Sequence, residues 1–271
     1  MYKYIDEKGE HMHTLDGQPL YGTSSVAEVL AKPLTWWASG LAVKVFGCPD
    51  PKVLTKLKNK TATDDEIQKH YAGLSETRNK IISTGLEDYA KMVDSAYRAH
   101  QTSLKESASD GTDLHAECER FIKDEMADLE KPIEEYNEKI WPLITWAREN
   151  VHQYLWSEGN CYSRVHWVGG ISDLGIILKD GTYAIVDFKS SKEAYLSQFW
   201  QCCGYAIQIE ENGVCDKDGN IIYTLPEGAK IGAVIVLPFG MEKPYPQTNI
   251  DVVGGKEAFL AELLLYKKLP R

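Results

Sequence analysis

Nowhere in the 271-residue chain does an apolar run approach the ~20 residues that a membrane-spanning helix requires. The opening stretch from Met1 to Lys8 has neither the basic start nor the apolar core of a signal peptide. A soluble cytosolic protein without a membrane partner is therefore expected. The six cysteines, Cys48, Cys118, Cys161, Cys202, Cys203 and Cys215, form no Cys-x-x-Cys pair, and a disulfide framework would be unusual at this size. Reduced thiols and no cysteine-held metal are expected, with Cys202 and Cys203 as small buried residues of a helix. No internal repeat or low-complexity tract is evident. Basic residues are also scarce. Against 40 Asp+Glu stand 30 Lys+Arg, a formal net charge of −10, which at first sight disfavours a phosphate-rich partner.

What is present suits a globular chain: 43% hydrophobic residues over this length can bury one large core or two small ones. The charge, moreover, is segregated. Asp113 to Glu138 holds ten acids and three bases, whereas Pro51 to Thr63 carries Lys52, Lys56, Lys58 and Lys60 and no acid. Each block also fits a solvated helix face. The acidic total consequently does not exclude a DNA-binding surface elsewhere.

Helical signals dominate the first half. Thr23-Ser24-Ser25 before Val26, Val29 and Leu30 reads as a capped amphipathic helix. After Pro33, the residues Leu34, Trp36, Trp37, Leu41 and Val45 resume an apolar helical pattern up to Gly47. Residues 64–108 have charged helical spacing, with a break expected over Ser107–Gly111. A long helix is expected from Thr112, with Leu114, Cys118, Phe121, Glu125 and Leu129 on one stripe, and another over Glu138–Trp156. From Asn160 the texture becomes β-rich: Cys161–Val168, Ile171–Leu178 and Thr182–Lys189, separated by Gly169-Gly170 and Lys179-Asp180-Gly181. A helix over Glu193–Glu211, a turn-rich loop from Gly213 to Gly228, a buried strand at Ile231–Leu237 and a helix at Lys256–Lys268 follow. Helices preceding a sheet with a helix packed on it predict an α+β fold.

Chemistry concentrates in Gly169-Gly170-Ile171-Ser172-Asp173 and Asp187-Phe188-Lys189. Side chains alternate along a strand, so Asp187 and Lys189 share a face. The hairpin loop decides whether Asp173 joins them. A two-residue Asp-Gly turn would pair Asp173 with Phe188 and face it away from Asp187. A three-residue loop with Gly181 left-handed pairs Leu178 with Thr182 and Asp173 with Asp187. In that register the two carboxylate side chains start ~5 Å apart, which is destabilising unless a cation such as Mg²⁺ or Mn²⁺ lies between them. Two ordinary aspartates on a solvated hairpin are the alternative. His115 and Glu119 are one helical turn apart and adjacent, which suits a metal ligand and, taken alone, better suits a surface pair. Glu158, just before the first strand, either aims at the same centre or is a loop acid. In the following helix Gln198, Gln201, Tyr205 and Gln208 line one side, either to hydrogen-bond a substrate strand or as a wet helix face.

The ordered set Gly-Thr-Asp-Leu-His (111–115), Gly-Gly-Ile-Ser-Asp (169–173), Asp-Phe-Lys (187–189) and Gln-Cys-Cys-Gly-Tyr (201–205) resembles the RecB-like, phage-type branch of the PD-(D/E)XK nuclease superfamily. The match spans residues 111–205, about a third of the chain. The resemblance implies a restriction-endonuclease-like core at 111–271, a central mixed β-sheet flanked by helices, with a helical N-terminal region at 1–110. It implies a Mg²⁺ or Mn²⁺ site of His115, Asp173, Asp187 and the Phe188 carbonyl, with Lys189 as the catalytic lysine. By the same resemblance Gln201 and Tyr205 contact the substrate strand and orient the site, and Glu158 takes the position of an accessory acid. Glu119, one turn from His115, is a second candidate for that role. Some members hold an iron–sulfur cluster through C-terminal cysteines; here no cysteine follows Cys215, so none is expected. The implied activity is exonucleolytic hydrolysis of single-stranded DNA or DNA ends. The alternatives are a structure-specific endonuclease with the same site, or a non-catalytic binding module that kept the fold. Trp36, Trp37 and the lysines at 52–60 are candidates for a strand channel, although the apolar helical spacing of the two tryptophans favours a core role over stacking.

Overall fold

Strands, not helices, open the chain. In the computed structural model, which describes all residues except 8–9, 30–34, 47–55, 57–58, 130 and 269–271, β1 (Tyr2–Glu7) pairs antiparallel with β2 (Glu10–Leu15). β3 (Gln18–Pro19) adds to β2, and β4 (Tyr21–Gly22) pairs with a later strand. The register sets Tyr2 opposite Leu15, and both are buried with Leu20, Tyr162 and Cys215 in a small cluster. Charged residues obscure that alternation in the sequence. α1 (Thr23–Ala27) is one short turn and lacks the expected side-chain cap: the Thr23 hydroxyl donates instead to the Gly169 carbonyl at 3.0 Å.

Among the described residues, α2 (Thr35–Val45), α3 (Asp64–Ser83) and α4 (Leu86–Met126) follow. A capping box opens α3, Thr63 accepting from the Glu66 amide and Glu66 from the Thr63 amide. The break expected over 107–111 is absent, because α4 runs through it. One interior glycine costs a helix about 1 kcal/mol, too little to end so long a one. The expected stripe holds through Cys118 and Phe121, but α4 ends at Met126 and leaves Leu129 exposed. By contacts the chain forms two compact units, 32–109 and the remainder. The first 31 residues thus belong with the C-terminal unit, correcting the expected 1–110 division. The side chains of Trp36 and Trp37, and all of Lys52, Lys58 and Cys48, lie outside the described residues.

α5 (Trp141–Asn150) stops where Val151 begins β5 (Val151–Ser163), so the helix expected to Trp156 is strand over its last six residues. β5 turns at 164–167 into β6 (Val168–Leu178), and β6 into β7 (Tyr183–Lys189), an antiparallel meander. Gly169 and Gly170, expected as a turn, lie inside β6. A Cβ on Gly170 would stand 2.6 Å from the Tyr205 ring and 2.9 Å from the Thr23 hydroxyl, so close packing, not turning, requires glycine there.

α6 (Leu196–Asn212) leads through β8 (Val214–Cys215) and β9 (Ile221–Tyr223) to β10 (Ile231–Pro238), which lies parallel to β7. The hairpin of β8 and β9 occupies the stretch expected to be loop. β11 (Gln247–Asn249) and α7 (Val252–Lys268) complete the described fold. The mixed sheet runs β11-β10-β7-β6-β5-β8-β9, with β4 parallel to the start of β6. The α+β class and the mixed sheet are as expected.

Alternation along the strands gives the sheet two apolar faces. Leu174, Ile176, Val186 and Ile235 meet Cys118 and Phe121 of α4 and Leu143 and Ile144 of α5. Ile185, Val234 and Val236 meet Phe199, Cys202, Ala206 and Ile209 of α6. Each buried side chain of this size contributes roughly 1.5–3 kcal/mol. The five described cysteines are buried and unpaired. No described helix is long and apolar enough to cross a membrane.

Candidate metal centre

The β6–β7 loop takes its three-residue form. Leu178 N–H bonds the Thr182 carbonyl at 2.9 Å, Gly181 N–H bonds the Leu178 carbonyl at 2.9 Å, and Gly181 has φ +88°. The ladder then pairs Ile176 with Ala184 and Leu174 with Val186. Asp173 and Asp187 follow as the next residues on the two strands, on the same side of the sheet. Their opposition is relieved by separate partners. Asp173 Oδ2 accepts from the Phe188 N–H at 2.7 Å, while the Lys189 ammonium lies 2.7 Å from Asp187 Oδ2.

Asp187 is 1% exposed, and neither of its oxygens accepts a directed hydrogen bond. Burial pushes its carboxyl above the usual range, with Asp173 adding to that and Lys189 opposing it. Lys189 is 23% exposed; burial disfavours its charge, but Asp187 and Asp173 outweigh burial and hold it protonated.

The stripe of α4 that carries Leu114 and Cys118 into the core brings His115 to the sheet edge. Its Nε2 lies 2.9 Å from the Phe188 carbonyl, a hydrogen bond in the tautomer that protonates Nε2. From β5, Glu158 falls between the pairs Ser157–Leu174 and Gly159–Ser172, beside Asp173. Its backbone is left-handed at φ +51°, a conformation that costs of order 1–3 kcal/mol and clusters at functional sites. One ligand atom from each of His115, Glu158 and Asp173 lies within 4.8 Å of the others. Although Glu158 is exposed by surface area, its carboxyl is pushed up to about 8. Desolvation contributes most, then the charges of Asp173, Glu119 and Asp187.

An imidazole and carboxylate oxygens are donors that Mg²⁺ or Mn²⁺ accepts. Neighbouring ligands of an octahedral cation held at about 2.1 Å lie about 3 Å apart, which matches the spacing of His115 Nε2 and the Phe188 carbonyl. A carboxylate kept proton-prone by its acidic neighbours and a fully buried Asp187 without directed partners also fit a site built around positive charge. The residues present therefore fit a divalent cation.

The close set differs from the expected ligands in one member. Glu158, expected as an accessory acid, stands with His115 and Asp173, while Asp187 is held against Lys189. Glu119 forms an ion pair with Lys123 at 2.5 Å. Lys123 itself escaped the sequence reading. It stands four and eight residues beyond Glu119 and His115, the spacing of one helical stripe, and its charge opposes the upward shift at Glu158.

The polar stripe of α6 is neither wet nor free. Gln201 donates to the Tyr205 hydroxyl at 2.7 Å, and both are buried. Burial, then Asp187 and Asp173, raise the Tyr205 phenol, which places that ring beside the two carboxylates. Gln208 is fully buried and donates to Thr23 at 2.8 Å. Gln198 serves the helix start, accepting from the Tyr195 N–H at 2.9 Å. Thr23 is thus a positioning residue that sequence reading assigned to a cap. No protein-family model and no curated protein sequence matches this chain.

Proposed function

We propose that this chain is a metal-dependent DNA nuclease that hydrolyses phosphodiesters of single strands or DNA ends. One observation carries the reading: the ligand atoms of His115, Glu158 and Asp173 meet within 4.8 Å, next to a buried Asp187–Lys189 ion pair. The succession α4–β5–β6–β7–α6–β10, with the last strand parallel to β7, supports a restriction-endonuclease-like core. Four motifs in family order support it from the sequence side.

His115, Glu158 and Asp173 would hold Mg²⁺ or Mn²⁺, with the Phe188 carbonyl adjacent. When bound, such a cation supplies Lewis acidity toward phosphoryl oxygens and toward the attacking water. Lys189 keeps its proton in the field of Asp187 and offers a fixed positive charge to the phosphoryl oxygens as negative charge builds on them. Asp187 holds that ammonium in place. Phe188 positions Asp173 through its N–H. Gln201 and Tyr205 brace each other against the carboxylate side of the site. In the net reaction water adds to phosphorus and an ester oxygen leaves with a proton.

Purified chain with Mn²⁺ or Mg²⁺ should shorten linear single-stranded DNA, and chelation of the metal or Lys189→Ala should stop it. Persistence of activity in both Asp173→Ala and Lys189→Ala would sink the reading. Cleavage of closed circular single strands would instead identify an endonuclease.

A further inference from the structure

Charge divides along the two compact units. Residues 32–109 hold 12 Lys+Arg against 9 Asp+Glu, a net of +3, whereas the rest of the chain holds 18 against 31, a net of −13. The acidic total thus conceals a basic helical unit.

That unit leaves two apolar stripes in water. On α3, Tyr71, Leu74, Arg78 and Ile82 are exposed at positions i, i+3, i+7 and i+11, which lie on one helix face. On α4, Leu86, Tyr89, Val93 and Tyr97 repeat the same spacing and are exposed too. Tyr71 is 61% exposed, Tyr89 39% and Tyr97 75%. Contiguous exposed apolar surface of this kind marks an interaction site.

The cations in the unit indicate its partner. Lys69, Lys91 and Arg98 are tied to Asp65, Asp88 and Asp94 one turn away. Lys44, Lys60, Arg78 and Lys80 are exposed and, among the described residues, form no ion pair. A second copy would bring another positively charged unit against this one. A polyanion with exposed π-faces complements it, and only a single strand offers both unpaired bases and phosphates.

We infer that the 32–109 unit is a binding surface for single-stranded DNA, with Tyr71, Tyr89 and Tyr97 stacking on bases and Arg78 meeting phosphates. For its substrate class the inference rests on the nuclease reading.

The test is binding of a fluorescein-labelled dT20 strand to the full chain in the presence of a chelator, without divalent metal, followed by anisotropy. Tyr71→Ala combined with Tyr97→Ala should weaken binding at least about tenfold, since a stacked base is worth about 1–3 kcal/mol. Phenylalanine at both positions should retain it, because the ring is what stacks. Arg78→Ala should flatten the dependence of log affinity on log salt by about 0.7, the slope of one phosphate contact on a single strand. Duplex of the same length should bind at least about tenfold more weakly. Affinity unchanged within twofold in the double alanine variant, with its helical circular dichroism intact, would overturn the inference. So would a concentration-dependent dimer that the same variant dissociates, which would make the stripes a contact between copies. Binding that needs these tyrosines in a chain that cleaves nothing with Mn²⁺ would leave this inference standing and remove the nuclease reading.

Discussion

Asp173 and Asp187 stand side by side beyond the last paired rung of β6 and β7, yet each is satisfied by a different kind of partner: a peptide N–H for Asp173, an ammonium for Asp187. Asp173 thereby keeps one oxygen toward His115 and Glu158, while Asp187 serves to fix Lys189. Two like residues on one sheet face acquire two roles from their neighbours.

Removing the counter-ion of a buried carboxylate should be costly. Lys189→Met leaves Asp187 unpaired at 1% exposure, and breaking such a pair costs about 3–5 kcal/mol. Chemical denaturation should show that loss, and Asp187→Asn added to Lys189→Met should recover most of it. Neither variant should cleave DNA. Wild-type stability in Lys189→Met would show that the pair is not buried as described.

Glu158 should make metal binding pH-dependent. Its carboxyl titrates near about 8, so at pH 7 it mostly holds a proton that a cation must displace. Mn²⁺ affinity should rise with pH up to about 8 and level off above it. Titration calorimetry at pH 7 in buffers of different ionisation enthalpy should register about one proton released. Glu158→Gln should bring that number near zero and weaken Mn²⁺ at least about tenfold; unchanged proton release would exclude Glu158 as a ligand.

Gly170→Ala should unsettle Tyr205 and Thr23 together. The new Cβ would fall 2.6 Å from the Tyr205 ring, and overpacking of this kind costs about 1–3 kcal/mol. A double-mutant cycle with Tyr205→Leu should show coupling, because the second change removes the ring that the methyl meets. Strict additivity of the two losses would refute the contact.

A second buried acid predicts a stability slope. Glu262 on α7 is buried, neither oxygen has a hydrogen-bond partner, and burial lifts its carboxyl from 4.5 to about 7. The folded state therefore binds this proton more tightly than the unfolded chain. Its contribution is fully present below pH 4.5 and is lost as pH rises through about 7, amounting to roughly 3 kcal/mol. Thermal unfolding across pH 4.5–8 should be flatter for Glu262→Gln. An identical slope would assign the proton elsewhere.

The meander register was only half legible, because Asp180-Gly181 suits a two-residue turn as well as the three-residue loop with Gly181 left-handed that the structure takes. β7 and β10 were legible from short apolar runs, and α6 from the helical spacing of its apolar and polar stripes. β1 and β2 were not, since Lys3, Asp6, Glu7 and Glu10 dilute an alternation that only Tyr2 and Leu15 make productive. The glycine pair at 169–170 reads locally as a turn; that Tyr205, Leu20 and Thr23 crowd it is tertiary information. His115, Asp173, Asp187 and Lys189 were found by motif. The place of Glu158 in the close set was not, because it depends on a single backbone angle within β5.

Phe188 joins the site through its peptide groups: its N–H holds Asp173 and its carbonyl faces His115. A mutational scan would record only the packing of its ring and miss both contacts, since every replacement except proline keeps the same amide. An amide-to-ester exchange at position 188 would delete the N–H donor and leave the side chain unchanged. Part of this site is therefore written in the main chain, where residue identities carry no trace of it.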